Sequence, residues 1–531
     1  MKGASDNTAT LSYDSLKKWA IAYMMLPVVV FLMGWLRFHY ALPLTLMAVL
    51  GVYFGAHVND GITCDLQPAM LLLGDSYENE KRSRSVSVPI AVLVSLVILA
   101  LAWCVLGGQG GFWYQSTDWG VRNAMFRDLI TYEWPVHYRD GSDLIMYFGH
   151  FLPPALIGKI AATFFADEAI VWCIANIAML LWTAAGVFLI ELLVITTLGC
   201  DSRKTVFFSV ALFILFSTPD VIGLILSKRY DYVLSELHLE WWATRPIRVA
   251  QYSSFTSCLF WVFHESIVVW IGTLCFVNEK TVRSFLLLWL PSLLCGTFGC
   301  IGLALLMGGM GFVLLSQAHA KDKWISLLHD IASPQNIAAC IVAIPCIFFI
   351  GEYPIGSAST EYFSENVGNV LSYPFWIPDD SRSIKLLIAF IGIEALLLPL
   401  IVLQRNRHRG LYWLMLITLL LCPFIRVGGF NFCMRASMPA LLVLYLYCAD
   451  YLLYADRSSL QSRVTGVLLA LILALGAATP LMEFYRGFHN VFLYGVEACI
   501  PDEGTMDGRS RPGASNIQSS EGSFFFTYFA R

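Results

Sequence analysis

The chain has 531 residues, of which 57% are hydrophobic and 14% charged, and its mean hydropathy is +0.66. A soluble globular protein has about 45–50% apolar and about 25% charged residues, so this composition excludes a chain of several water-soluble domains and indicates an integral membrane protein. The net charge of −4 excludes the broad basic surface of a nucleic-acid-binding protein, and we expect no nucleic-acid partner.

Apolar stretches recur along the chain at a length that can cross a bilayer, about 20 residues each. We predict about thirteen transmembrane helices, bounded by the length of each apolar run. They lie near residues 19–36, 41–57, 88–107, 168–198, 205–226, 256–277, 284–301, 302–316, 336–352, 384–404, 410–427, 437–454 and 464–482. No gap between them could hold a soluble domain of about 100–150 residues. We therefore expect an all-α integral membrane protein whose chemistry is performed by loops and helix ends.

Lys and Arg in short loops mark the cytoplasmic side of a membrane protein. With thirteen spans, every basic cluster falls on one side: Lys17/Lys18, Lys81/Arg82/Arg84, Arg203/Lys204, Lys280/Arg283, Lys321/Lys323, Arg405/Arg407/Arg409 and Arg457/Arg463. This parity favours two crossings in the run 284–316, which could otherwise be one long tilted helix. Residues 1–18 then form a cytoplasmic tail, 19–482 the transmembrane domain and 483–531 an external tail.

The long loops 108–167, 227–255 and 353–383 face outside in this topology, so the working surface is predicted to be external. In the first loop, the apolar residues Val121, Met125 and Leu129 recur at helical spacing. This pattern predicts an amphipathic interfacial helix over 119–131.

Asp118 directly precedes this predicted helix, and two roles for it are open. It could cap the helix N-terminus, or it could take a proton from an incoming hydroxyl group in the aromatic setting that Trp119 and its neighbours provide. Farther along the loop, His150 and Lys159 could contact a lipid phosphate, although a snorkelling lysine needs no ligand.

Ionisable side chains inside the spans are costly, at least about 2.5–3.5 kcal/mol each at mid-bilayer, and they mark candidate sites. Five are predicted to converge on the outer leaflet: Asp220, His264, Glu265, Arg426 and Arg435. An arginine beside an apolar cavity suits a phosphate. Glu191, Glu394 and Asp450 lie deeper or nearer the inside, where we expect a structural pair or an interhelical hydrogen bond.

The second outer loop is dense in acidic residues and tryptophans. Trp241 could belong to a membrane-anchoring aromatic belt or stack on a sugar ring. Glu236 and Glu240, one helical turn apart, could bind a hydroxyl group or a divalent cation such as Mg²⁺ or Mn²⁺ without requiring one. No phosphate-binding loop or dinucleotide motif occurs in a believable context, so no site for a soluble nucleotide is expected.

The layout resembles polytopic glycosyltransferases of the GT-C fold, in which a long first outer loop bears an acidic catalytic residue. The likeness is closest to bacterial cell-envelope members. It covers most of the chain in layout, and in sequence it rests on short segments: Asp118-Trp119 through Arg127-Asp128-Leu129, Trp134-Pro135, 259–265, 433–439 and 523–531. There are departures: Asp118 is followed by Trp119 instead of a second acid, the loop follows the third predicted span instead of the first, and His264-Glu265 stand where related sequences tend to have Asn-Gln.

The resemblance implies a transferase that moves a sugar from a polyprenyl phosphate to an envelope glycan or lipid-linked acceptor. It would act on the external face of the bacterial inner membrane, in polysaccharide biosynthesis. Asp118 would be the catalytic base. We expect Arg435, Arg426, Arg122, Arg127 and Lys159 to bind the donor phosphate. We expect the substrate cavity to include His264, Glu265, Asp220, Glu236, Glu240, Trp241, Trp119 and His150. The alternatives are a polysaccharide ligase or polymerase with a lipid-diphosphate donor, a lipid or glycan transporter, and a non-catalytic scaffold.

Overall fold

Helices form nearly all of the regular structure of this chain. The computed structural model describes residues 8–57, 85–244, 250–279, 281–317, 321–352, 375, 377–378, 380–425, 431–502, 504–507 and 523–531. A bilayer core offers no water to backbone N–H and C=O groups, so an apolar chain must satisfy them internally, as helices do. The prediction of an all-α membrane protein is confirmed at this level.

The first part of the chain adds one small sheet to the helices. Strand β1 (Thr8–Ser12) pairs antiparallel with β2 (Ser85–Pro89). The helices here are α1 (Tyr13–Trp35), α2 (Phe38–His57), α3 (Ile90–Leu106), α4 (Trp119–Thr131), α5 (Leu152–Phe164) and α6 (Glu168–Leu198). Because the strands directly precede α1 and α3, the sheet holds the starts of these two helices together.

The rest of the chain contains both short and long helices. The middle part contains α7 (Arg203–Ile214), α8 (Asp220–Ser227), α9 (Tyr230–Ser235), α10 (Phe255–Asn278), α11 (Phe285–Cys295), α12 (Thr297–Gln317), α13 (Lys321–Ile331) and α14 (Pro334–Gly351). The last part contains α15 (Ser381–Phe390), α16 (Leu397–Asn406), α17 (Gly410–Leu421), α18 (Asn431–Ala436), α19 (Met438–Tyr454), α20 (Leu460–Gly476), α21 (Ala478–Tyr494) and α22 (Phe524–Tyr528). A π-helical segment, Ile391–Leu396, joins α15 to α16.

Eight helices in the described chain have the length and apolar composition to cross a membrane, and four shorter apolar helices accompany them. The predicted segments 41–57, 168–198 and 336–352 coincide closely with α2, α6 and α14. Helix α10 lies at the centre, since almost all of its residues are buried and it contacts α1, α6, α11, α12 and α19. The total of about thirteen crossings stays a prediction.

The predicted spans differ from the structure in three regions. The segment 205–226 is not one helix, because α7 ends at Ile214 and α8 begins only after Pro219, whose nitrogen has no hydrogen to donate to a helix. The run 284–316 breaks at Gly296 instead of near residue 301, which gives an 11-residue α11 and a 21-residue α12. The last predicted span continues through α20 and α21 past residue 482.

Several charged residues inside the bundle are paired. Lys17, predicted as a loop charge, is buried in α1, where its Nζ lies 2.6 Å from Glu279 Oε1. Arg405 Nε donates to Asp450 Oδ2 at 3.0 Å between α16 and α19, a structural pair of the kind predicted for Asp450. Glu191 is different, since neither of its buried carboxylate oxygens has a hydrogen-bond partner in the described part of the chain. The basic cluster Lys81/Arg82/Arg84 lies outside the described residues.

The C-terminal tail folds back on the first long loop. Asp128 of α4 accepts hydrogen bonds from Thr505 Oγ1 (2.5 Å), the Met506 backbone nitrogen (2.8 Å) and the Tyr138 hydroxyl (3.0 Å). At the end of the chain, Arg531 Nε donates to the backbone oxygen of Trp134 at 2.9 Å. The loop and the tail therefore lie together at one end of the helices.

We expect Asp128→Asn to loosen the tail, because an amide has one accepting oxygen and would turn its NH₂ group towards a donor. Leaving a buried donor unpaired costs about 1–3 kcal/mol. Limited proteolysis of the purified protein should then cleave the tail faster. Asp140→Asn, in an exposed turn of the same loop, is the matched control. Equal cleavage rates in the two variants would show that Asp128 does not hold the tail.

Candidate functional site

A cavity of about 280 Å³ lies where four separate stretches of the chain converge. One stretch is the start of α4, and another is part of the second long loop. The third runs into the first half of α10, and the fourth is the short helix α18. The lining residues are Asp118, His238, Glu240, Trp241, Gln251, Ser253, Ser257, Trp261, Val262, Asn431, Met434 and Arg435.

The stretch of α10 that lines the cavity contains a break in the helix. The backbone at Val262 is non-helical, with φ −140° and ψ 37°. Such a break leaves carbonyl groups without their helical donors. Here Gln109 Nε2 donates to the Leu259 oxygen at 2.9 Å, and Trp119 Nε1 donates to the Phe260 oxygen at 3.2 Å. Trp119, predicted as a cavity residue, is instead buried behind the wall and supports the break.

Asp118 stands at the N-terminal end of α4 with 51% of its side chain exposed. Its side chain makes no capping hydrogen bond to the helix, so the geometry does not favour the N-cap role. Arg122, one turn later, places Nη2 at 3.2 Å from Oδ2 of Asp118. The other oxygen, Oδ1, has no hydrogen-bond partner among the described residues and is therefore open to a ligand.

Arg122 is almost entirely buried, and its Nη1 has no hydrogen-bond partner in the described structure. Burial lowers the pKa of the Arg122 guanidinium because desolvation disfavours the charged form, and the nearby Asp118 carboxylate opposes this shift. An arginine nevertheless stays protonated in proteins. Asp118 and Arg122 therefore form a paired charge at the cavity entrance.

Arg435 on α18 brings a second guanidinium to the cavity. Its Nε donates to Glu265 Oε1 at 2.6 Å, and its Nη1 donates to Asn431 Oδ1 at 2.6 Å. Both Arg435 and Glu265 are buried. Two bonds of this kind fix the plane of the guanidinium and leave Nη2 for another acceptor.

Gly296, at the break between α11 and α12, makes room for Glu265. A Cβ atom at Gly296 would lie 2.6 Å from Glu265 Cγ and Oε2. At Gly302 of α12, a Cβ atom would lie 2.1 Å from the Ala436 backbone oxygen, so α12 packs directly against the end of α18. Gly296 therefore makes room for Glu265, and Gly302 allows the close approach of α18, the helix that carries Arg435.

His264 lies beside this pair and does not line the cavity. Its ring stacks on Tyr147, with centroids 5.6 Å apart and planes 2° from parallel. Its Nε2 lies 3.7 Å from Glu265 Oε1, and neither ring nitrogen has a hydrogen-bond partner among the described residues. His264 and Glu265, both predicted for the cavity, thus form a layer behind Arg435.

Glu240 and Trp241 do line the cavity, as predicted. Glu240 is buried and accepts hydrogen bonds from Ser253 Oγ (2.6 Å), Gln251 Nε2 (2.8 Å) and the Ser254 backbone nitrogen (2.9 Å). These bonds connect the second long loop to the start of α10. The ring of Trp241 lies near that of Trp261, with centroids 6.4 Å apart.

Glu236 and Glu240 do not have the helical spacing that the sequence suggested for them. Helix α9 ends at Ser235, and Leu237 has a left-handed backbone with φ 50°. The two carboxylates therefore do not share a helix face, and Glu236 is exposed. In the described residues, no group of three or more His, Cys, Asp or Glu side chains could hold a metal ion.

His238 is the ionisable cavity residue that the sequence interpretation missed, together with its partners on α21. Its Nδ1 lies 2.7 Å from Glu483 Oε1. Glu483 Oε2 accepts from Trp261 Nε1 at 3.0 Å and from Arg486 Nη2. The available signal was an acid and a base three residues apart directly after an apolar run, but the predicted end of that span at residue 482 assigned both to the external tail.

Asp220 belongs to a neighbouring buried group instead of the cavity lining. It accepts hydrogen bonds from Thr479 Oγ1 (2.7 Å), Trp242 Nε1 (3.2 Å) and Ser217 Oγ (3.3 Å). Trp242 Nε1 also lies 3.1 Å from Glu394 Oε1. The hydrogen bond to Glu394 therefore comes from the second long loop instead of a neighbouring transmembrane helix, and it joins Glu394 to Asp220.

The remaining predicted residues lie away from the cavity. Arg127 Nη2 donates to Asp502 Oδ2 at 2.9 Å. Lys159 Nζ donates to backbone oxygens at the end of α4, those of Ile130 (3.2 Å) and Tyr132, where a helix favours a cation. His150 is buried, with Nε2 3.0 Å from Thr183 Oγ1. Their positions give no support to phosphate or substrate binding, and Arg426 lies outside the described residues.

Comparisons of the chain with models of known protein families, with curated proteins and with solved structures found no match. Function is therefore inferred from the cavity itself. Of the predicted site residues, Asp118, Arg435, Glu240 and Trp241 line it. Arg122 and Glu265 form ion pairs with two of these lining residues, Asp118 and Arg435.

We expect Gly296→Ala to displace Glu265 and weaken its bond to Arg435. Overpacking of this kind costs about 1–3 kcal/mol, which should lower the midpoint of thermal unfolding in detergent micelles. Gly308→Ala on α12 is the matched control, since a Cβ atom there meets nothing within 4 Å. Equal stability of the two variants would contradict the tight fit between Gly296 and Glu265.

Proposed function

We propose that this protein is a membrane glycosyltransferase that moves a sugar from a polyprenyl-phosphate donor to an envelope glycan or a lipid-linked acceptor. One observation carries the proposal: Asp118 and Arg435, which are far apart in sequence, line one cavity together with two tryptophans. A carboxylate with a free oxygen, a fixed guanidinium and aromatic surfaces suit glycosyl transfer from a lipid phosphate, because they can accept a proton, bind the phosphate and pack against a sugar ring.

In the proposed reaction, Asp118 Oδ1 takes the proton of the acceptor hydroxyl as the acceptor oxygen bonds to the anomeric carbon. The bond from that carbon to the phosphate oxygen breaks, and the electron pair leaves with the polyprenyl phosphate. Arg435, held by Glu265 and Asn431, stabilises the phosphate charge through charge-assisted hydrogen bonds. Trp241 and Trp261 pack against the sugar rings.

The membrane setting supports a lipid-linked donor, which reaches the cavity from the bilayer and needs no soluble nucleotide domain. In this proposal the cavity faces the outside of a bacterial inner membrane, with the N-terminus in the cytoplasm. The C-terminal tail lies on the cavity side, in agreement with its contacts to the first long loop.

A transporter of lipids or glycans is the second candidate, and the interrupted helices favour it. The backbone breaks at Val262 in α10 and between α7 and α8 are of a kind that transporters place at their substrate sites. A transporter moves its substrate without breaking a bond. A ligase or polymerase would instead transfer an oligosaccharide from a lipid diphosphate.

We expect Asp118→Asn to lower sugar transfer by about 10²–10⁴-fold, because the amide cannot accept the proton. The assay uses purified protein in nanodiscs, an envelope extract as acceptor, and two donor sets: polyprenyl-monophosphate sugars and a polyprenyl-diphosphate oligosaccharide. Asp140→Asn, exposed on the same loop, should keep wild-type activity.

Transfer from the monophosphate donors alone supports the proposal, and transfer from the diphosphate alone assigns a ligase or polymerase. If a labelled lipid-linked sugar crosses the membrane of proteoliposomes intact, and crosses it equally well in proteoliposomes that contain the Asp118→Asn variant, the protein is a transporter. Full transfer activity in a folded Asp118→Asn variant would remove Asp118 from the mechanism.

A further inference from the structure

His238 is held in one orientation at the cavity wall. Its Nδ1 lies 2.7 Å from Glu483 Oε1 and 3.2 Å from Arg486 Nη1. Because an ionised carboxylate can only accept and Glu483 is the nearer partner, Nδ1 carries a hydrogen and donates it to Glu483. Glu483 is itself fixed by Trp261 and Arg486. A base whose second nitrogen is oriented by a buried carboxylate is the arrangement that proton-transfer sites use.

The other ring nitrogen, Nε2, is left for a ligand or water. It has no hydrogen-bond partner among the described residues, and Glu240 Oε2, its neighbour on the same loop, lies 3.6 Å away. His238 lines the cavity that Asp118 also lines. The two groups are thus exposed to the same small volume.

The charges around His238 suit an imidazole that gains and loses a proton. Glu240 faces it from its own loop, and Glu483 and Arg486 face it from α21. On the α10 side, the neighbour is the Trp261 ring, with a centroid separation of 5.3 Å. Because Arg486 offsets one of the two carboxylates, the second carboxylate remains to balance a protonated ring.

We propose that His238 is a second proton-transfer residue of the cavity, and that Glu483 is its positioning residue. This inference rests on the proposed function for the source of the proton. After Asp118 takes the proton of the acceptor hydroxyl, it must lose that proton before the next turnover. His238 Nε2 accepts this proton through a cavity water, which takes up one proton and releases another, and then passes it to bulk water. No group is oxidised or reduced in these steps.

The first test measures sugar transfer by His238→Ala with and without added imidazole. We expect steady-state turnover to fall by about 10²-fold or more, the first turnover to persist, and imidazole to restore later turnovers. His137→Gln, whose ring is half exposed and paired with Asp143 outside the cavity, is the control and should turn over normally. A folded His238→Ala variant with normal turnover, or one that imidazole does not restore, overturns the inference.

The second test needs no transfer activity and so separates this inference from the proposed function. In protein labelled with ¹⁵N-histidine, the signal missing in His238→Gln identifies His238. We expect its ¹⁵N chemical shifts to show the hydrogen on Nδ1, the nitrogen that faces Glu483. Glu483→Gln should weaken this preference. A His238 ring with its hydrogen on Nε2 overturns the proton-transfer role even if sugar transfer is found, whereas a hydrogen on Nδ1 in a protein without transfer activity rejects the proposed function alone.

Discussion

The break in α10 at Val262 is the constraint on which the cavity depends. In an apolar environment every carbonyl freed by such a break must find another donor. Gln109 and Trp119 provide these donors, so the segment before α4 and the first residue of α4 are tied to the broken turn. The same tie places Asp118, the residue before Trp119, at the cavity. The helix break and the position of the candidate base are therefore consequences of one set of hydrogen bonds.

Buried charge is organised around the same region. Removing one partner of a buried ion pair costs about 3–5 kcal/mol because the other charge is left alone. Arg435 with Glu265, and Arg486 with Glu483, are both buried pairs. The first pair lines the cavity with Arg435 itself, and the second pair contacts the lining residue His238. Pairing thus lowers the cost of burying charge beside the cavity.

Much of this fold could be predicted from the sequence, because an apolar run long enough to cross a bilayer has few alternatives to a helix. The helix over 119–131 was predicted correctly from the period of its apolar residues, but most of its residues are buried, and its interfacial position stays a prediction. The sequence also predicted four of the residues that line the cavity: Asp118, Arg435, Glu240 and Trp241. They were chosen because a charged residue near a bilayer is costly and an aromatic residue there can bind a ligand.

The remaining errors come from contacts that local pattern does not encode. Arg127 and Lys159 looked like phosphate ligands, but a distant tail and the end of α4 take up their hydrogen bonds. Glu236 and Glu240 matched a helical spacing, but the helix ends between them. Glu483 was assigned to a tail because its charge appeared to end an apolar span, whereas Arg486 and His238 compensate that charge within the bundle.

The direct packing of α12 on α18 limits how the cavity can change shape. At Gly302 the two backbones are in contact without an intervening side chain. No side chain there can change its rotamer to let α18 slide along α12. Helix α18 and its arginine must then move with α12 as one body. The facing wall is built differently, because the short helix α9 and the loop carrying His238 and Trp241 are joined to the rest through side-chain hydrogen bonds. Any widening of the cavity therefore has to come from that second wall, while the wall that carries Arg435 keeps its geometry.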